Sequence, residues 1–145
     1  MIILDTNVLS EVARQYPDPN VIGWLREQAL LDLATTTICV AELRCGIARL
    51  PVGQRRNALE KKLFAFLSRG IANRIFDFDL PAAETYGALV ANRTRIGRPL
   101  EGFDGLIAAI ALSRNAAIAT RNVNDFDGCG IDVINPWSPL SGSKV

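Results

Sequence analysis

Residues 102–120 read GFDGLIAAIALSRNAAIAT, and their reading decides the architecture. From Phe103 to Ser113 nearly every position is apolar, whichever side of a helix it would occupy, so the pattern predicts a helix packed in the interior. Arg114 and Asn115 interrupt it, and AAIAT then reads as a short strand buried on both faces. Outward from this unit the same alternation recurs. MIIL at the N-terminus is a short buried strand, followed by a helix from Thr6 to Arg14 that stops before the two prolines of YPDP. NVIGWLREQAL, with Val21, Trp24, Leu25 and Leu30 at helical spacing, is a second helix, and LDLATTT a Thr-rich strand leading into a helix from about Ile38 to Leu50. Gly53 to Arg69 is amphipathic through Ala58, Leu59, Leu63, Phe66 and Leu67 and closes at Gly70. RIFDFD is a strand, Pro81 an early residue of the helix carrying Ala83, Tyr86, Leu89 and Val90, and GIDVINP the last strand. Apolar strands alternating with helices predict an α/β sandwich around a short, mostly parallel sheet.

A chain of 145 residues with 49% apolar and 21% charged residues fits one domain, burying roughly two thirds of its unfolded surface. No window holds the roughly 18 uncharged apolar residues of a membrane span, and the short apolar N-terminus lacks the flanks of a signal peptide, so a cytoplasmic protein without a membrane partner is expected. Cys39, Cys45 and Cys129 are odd in number and show no CxxC spacing, and are expected to be reduced, buried thiols. The chain has no histidine. That removes Ser-His-Asp and Cys-His nucleophiles and histidine acid–base ribonuclease chemistry, and argues against zinc. Hydrolysis would have to lean on carboxylates, lysines or a metal. Net charge is only +1, but from Arg44 to Arg74 eight basic residues face one acid, Glu60. Such a stretch can attract a polyanion or be a solvated helix face.

In open parallel sheets ligands bind outside the carboxyl ends of the strands, and four acids map there. Asp5 follows the first strand, Glu42 lies early in the helix after the second, Asp104 opens the buried helix, and Asp125 lies in TRNVND, the loop after AAIA. Each also has a local reading: Asp5 and Asp104 as helix caps, Glu42 as a surface residue, Asp125 as a turn residue beside Asn124. Carboxylates set against apolar neighbours repel one another unless something pairs with them. A divalent cation resolves that conflict, and hard oxygen ligands suit Mg²⁺ or Mn²⁺.

LDTNVLSE, TICVAELRCG, FDGLIAA, ATRNVNDF and INPW together resemble the PIN-domain ribonucleases, in particular the VapC/FitB-like toxins of bacterial toxin–antitoxin pairs. The resemblance covers Met1 to about Trp137, which sets a PIN domain at residues 1–137 and a short C-terminal tail at 138–145. It implies a three-layer α/β/α fold, a homodimer, Mg²⁺- or Mn²⁺-dependent cleavage of RNA, and an antitoxin partner whose tail blocks the site. By motif, Asp5, Glu42 and Asp104 match the family's three acids, with Asp5 and Asp104 as direct metal ligands and Thr6, Asn7, Thr120 and Asn122 in support. Some relatives place a fourth acid directly after the TR pair. Here that residue is Asn122 and the nearest acid is Asp125, so Asp125 is expected to fold back toward Asp5 and Asp104 as the fourth catalytic and metal-binding acid, with Asn122 in support.

Two other readings compete. An aspartyl-phosphate phosphatase or phosphoacceptor also carries an Asp after its first strand, but Asn7 stands where its acid–base residue would be, and Lys61, Lys62 and Lys144 lie far from any suitable strand end. A catalytically silent PIN-like interaction module would be favoured by loss of one of the first three acids, and all three are present. No base-reading motif or aromatic stacking platform is visible in the sequence.

Overall fold

The computed structural model describes residues 1–139; the expected tail beyond 139 lies outside the described residues. Five strands form one all-parallel sheet: β1 (Ile2–Leu4), β2 (Leu33–Thr36), β3 (Ile75–Phe76), β4 (Ala117–Ala119) and β5 (Val133–Ile134), in the order β3-β2-β1-β4-β5. Register runs Ile3 opposite Ala34 on one side and Ile118 on the other. Seven α-helices cover it: α1 (Thr6–Ala13), α2 (Pro19–Glu27), α3 (Thr37–Ala48), α4 (Gln54–Ala65), α5 (Leu80–Arg95), α6 (Asp104–Ser113) and α7 (Val123–Phe126).

The chain order leaves β1 in one direction for β2 and β3, then returns across β1 to β4 and β5. With right-handed crossovers this places α1–α4 on one face and α5–α7 on the other, and the contacts agree: α1 packs on α2, α3 and α4, and α5 runs along α6. The strand order therefore reverses between β1 and β4. At that switch point the chains diverge to opposite faces, and a crevice opens at the carboxyl edge.

The interior follows the apolar runs. Ile3, Leu4, Ala34, Ile118 and Ala119 are fully enclosed in the sheet, and Ile107 to Ala111 of α6 are enclosed on every side, as the unbroken apolar pattern requires. Gly105 lets α6 approach α5: a Cβ there would lie 3.1 Å from the Tyr86 ring.

Several expected boundaries move. Leu30 is half-exposed in a 3₁₀ turn, because α2 ends at Glu27. In α5 the residue facing the core is Ala82 rather than Ala83. The helix expected from Gly53 to Arg69 is α-helical only to Ala65 and finishes as a widened π turn from Phe66 to Gly70. The segment after β4 is not a plain loop, since Val123–Phe126 forms one helical turn anchored by buried Phe126. Cys39 and Cys129 are buried free thiols, but Cys45 is exposed.

Candidate active site

The crevice is built around Asp5, which directly follows β1, caps α1 and is 5% exposed. One carboxylate oxygen accepts from the Thr6 N–H at 2.8 Å. The other accepts from the Thr120 hydroxyl at 2.7 Å and from the Asn7 amide at 3.3 Å. Thr120 leaves β4, so this bond spans the switch point. Its hydroxyl oxygen in turn accepts from the Asn7 amide at 3.1 Å and the Asn122 N–H at 3.0 Å, while the Asn7 carbonyl accepts from the Arg121 N–H at 3.2 Å. From the other side, the Cys39 thiol at the start of α3 reaches Asp5 at 3.9 Å and itself receives the hydroxyl of Thr36, the last residue of β2, at 3.3 Å. Asp5 is thus both the helix cap of its local reading and the centre of a network drawn from three strands.

Glu42, half-buried in α3, accepts from the Thr6 hydroxyl at 3.2 Å. Asp104 does not cap α6: the position before it is Phe103, which makes no capping bond. Asp104 is the first residue of the helix, half-buried, and among the described residues its carboxylate accepts no hydrogen bond.

Asp5, Glu42 and Asp104 all line one cleft of about 510 Å³, together with Asn7, Asn122 and Arg55, and with Leu9, Leu43 and Ile47 forming an apolar wall. Asp125 lies elsewhere. It is exposed on α7 and shares a second cleft of about 320 Å³ with Asp104, Glu101 and Arg93. Asp104 borders both spaces. The fourth position is therefore divided: Asn122 lines the main cleft, while Asp125, expected there, lies on the far side of Asp104.

The charges feel one another. Burial raises the Asp104 carboxyl to about 6, with further pressure from Asp125, Asp5 and Glu42 and relief from Arg93. Burial also raises Asp5, against the bonds from Thr120 and Thr6, and the charge of Asp125 adds to the rise. Glu42 is raised by burial, with Thr6 opposing and Asp5 adding. Three acids thus share a partly dehydrated space in which full ionisation is unfavourable until positive charge arrives.

Three features escaped the sequence. Arg93 is 3% exposed; its guanidinium donates to the carbonyl oxygens of Arg98 and Asp127 and to the Cys129 sulfur at 3.6 Å. Arg98 adds a 2.8 Å ion pair to Asp127 and a 3.1 Å bond to the Asn124 carbonyl. The end of α5 thereby clasps the turn that carries Asp125. Secondly, the Arg121 guanidinium lies 5.1 Å from the centre of the Trp137 ring, a cation–π contact between two segments far apart in sequence. Finally, the basic stretch is not one face. Arg74 spends its guanidinium on the carbonyls of Leu33, Leu30 and Gly70, and Arg56 pairs with Glu60. Arg55 and Lys62 flank a groove against α1, while Arg44 and Lys61 face another.

A family model described as PIN domain matches residues 2–128. The chain is 40% identical to VapC ribonuclease Y4jK of Sinorhizobium fredii, covering 96% of this chain and 99% of that one. It is 38% identical to Toxin FitB of Neisseria gonorrhoeae, over 94% of this chain and 99% of that one. Among solved structures, that of FitAB bound to an IR36 DNA fragment superposes with a TM-score of 0.90 at 35% identity, over 98% of this chain and 99% of that one.

Proposed function

The chain belongs to the PIN-domain family, and from that premise we propose that it is a Mg²⁺- or Mn²⁺-dependent endoribonuclease, the toxin of a toxin–antitoxin pair. One observation carries the reading. Among the described residues the Asp104 carboxylate, set between two clefts, accepts no hydrogen bond, and its neighbours Asp125, Asp5 and Glu42 help burial push it to about 6. The names of the relatives, a ribonuclease and a toxin, support the same conclusion.

The donor set fits a hard divalent ion: carboxylate, amide and hydroxyl oxygens around the cleft, and acids whose raised affinity for protons a cation would relieve. Among the described residues no three acidic, cysteine or histidine side chains close into a cage. Mg²⁺ needs none, since it keeps several waters and takes one or two carboxylates. Asp5 and Asp104 would hold the ion, with Glu42 and Asp125 adding charge around it. When bound, it supplies a water of lowered pKa and offsets charge developing on the phosphate, which gives hydrolysis without histidine.

The chain's own residues do the rest. Thr120, Asn7 and the Thr6 N–H fix both oxygens of Asp5, so its orientation is set before substrate arrives. The Thr6 hydroxyl holds Glu42. Arg55, on the cleft wall, is placed to hold an RNA phosphate. Among the described residues no helix is long and apolar enough to cross a membrane, and the reading places the protein in the cytoplasm. It acts as a homodimer, with a small antitoxin that presents an Arg to the acids.

Purified protein should cleave RNA in Mg²⁺ or Mn²⁺ and leave 5′-phosphate and 3′-hydroxyl ends. Full activity in excess EDTA, or a 2′,3′-cyclic phosphate product, would overturn the mechanism. Asp5→Asn and Asp104→Asn should abolish turnover with the fold retained.

A further inference from the structure

Hydrolysing a polyanion inside a ring of acids poses an electrostatic problem, because the phosphates on either side of the scissile one must cross the rim of a negative site. Positive charge at the rim is needed on both flanks. On the α4 flank Arg55 meets the need. On the opposite flank the sheet ends in β4 and β5, whose parallel strands leave at the same edge as β1: Asp5 N–H donates to the Ala119 carbonyl at 3.0 Å and Thr120 N–H to that of Ile134 at 2.9 Å. Arg121 lies two residues beyond the end of β4, and Trp137 three residues beyond the end of β5.

Resting on the ribonuclease reading, we infer that Arg121, stacked on Trp137, is a subsite for an RNA phosphate flanking the cleavage point. The platform is pinned on both sides. The Arg121 N–H donates to Asn7 within the site. Trp137 is half-buried against the core, its backbone N–H donates to the Asn135 side-chain carbonyl at 3.0 Å, and its backbone carbonyl accepts from the Asn20 amide at 3.1 Å. The guanidinium itself has other business. Arg121 is exposed, and among the described residues its side chain makes neither ion pair nor hydrogen bond. A guanidinium held 5.1 Å over the centre of an indole in a cation–π contact keeps its N–H groups free to take a phosphate oxygen. Arg121 is flanked in sequence by Thr120, which holds Asp5, and by Asn122, which lines the cleft. A phosphate bound at its edge would therefore lie at the same carboxyl edge of the sheet as the acids, outside the cleft itself.

The test uses fluorescence anisotropy with a labelled single-stranded RNA in Mg²⁺, on the full chain carrying Asp104→Asn so that the RNA stays intact. Adding Arg121→Ala should weaken binding about fivefold or more, and lower the slope of log affinity against log salt by about 0.7, the value for one phosphate contact on a single strand. Arg121→Lys should keep the slope and lose part of the affinity. Trp137→Leu, which keeps the charge but removes the stack, should weaken binding with the slope nearly unchanged. If the parent binds RNA and Arg121→Ala matches it in affinity and slope, the subsite is overturned; a lower Tm alone would make the stack a structural tether and overturn it equally. A parent that binds no RNA would overturn the ribonuclease reading, and the subsite with it.

Discussion

At the scale of single residues, Asp104 carries the most consequence. Its carboxyl titrates near 6 in the folded chain against 3.8 in the unfolded one. Between these values the folded state binds more protons, so the stabilising contribution is full below about 4, falls as pH rises, and is lost above about 6. Asp104→Asn removes the titration. In EDTA its Tm should exceed that of the parent at pH 7.5, and the gap should shrink toward pH 4. Adding Mg²⁺ at pH 7.5 should raise the parent's Tm more than the variant's; thermal denaturation at several pH values checks both. Asp125 and Asp127 separate the two readings of the fourth position. Asp125 is the first charge acting on Asp104 and also acts on Asp5, whereas Asp127 is fully turned to Arg98 and solvent. Asp125→Asn should therefore lower kcat/KM at least about tenfold, roughly 1.4 kcal/mol, and raise the Mg²⁺ concentration for half-maximal rate. Asp127→Asn should do neither. If Asn122→Ala proves the sensitive change and both Asp variants are silent, the charge is not what the fourth position supplies.

Among the elements, α7 is the least self-sufficient. One turn of helix cannot hold itself, since nucleation costs more than a single turn returns. Its position depends on buried Phe126 and on the clasp from the end of α5. Arg93→Met would fill much of the volume yet leave the carbonyls of Arg98 and Asp127 without that donor. Urea denaturation should show a loss of about 2–4 kcal/mol, in line with charged hydrogen bonds removed from a buried site. RNA cleavage should fall as well, because Asp125 loses its fixed place. Arg98→Ala touches an ion pair that is partly exposed on both sides and should cost less than about 1 kcal/mol. Equal losses from the two substitutions would mean that the outer pair, not the buried guanidinium, places α7.

For the whole molecule, the path proposed for the RNA follows from where the free cations lie among the described residues. The sequence offers eight basic residues between Arg44 and Arg74, but folding commits Arg74 to backbone carbonyls and Arg56 to Glu60. Arg55 and Lys62 remain on the groove between α1 and α4 that leads into the acids. Replacing these two by Ala should therefore flatten the salt dependence of RNA binding by about 1.4, two single-strand contacts, while Arg44→Ala with Lys61→Ala should change it far less; equal effects would send the RNA over both faces of α4. Periodicity is a local property, and what it governs was legible: the enclosed α6 and β4, the parallel α/β class, and the positions of Asp5 after a strand, Asp104 at a helix start and Glu42 within a helix. Even the absence of histidine restricted the chemistry. What required the tertiary structure were relations between distant segments. Whether Asn122 or Asp125 enters the main cleft depends on the turn of α7, and α7 depends on Arg93 from another helix. The stack of Arg121 on Trp137 exists because β4 and β5 are neighbours ending at one edge. An arginine has the same letter whether it is buried against carbonyls, paired with a glutamate or free in a groove. Only the strand order, with its reversal between β1 and β4, decides which of these each becomes, because it alone fixes which segments share the dehydrated space around Asp5.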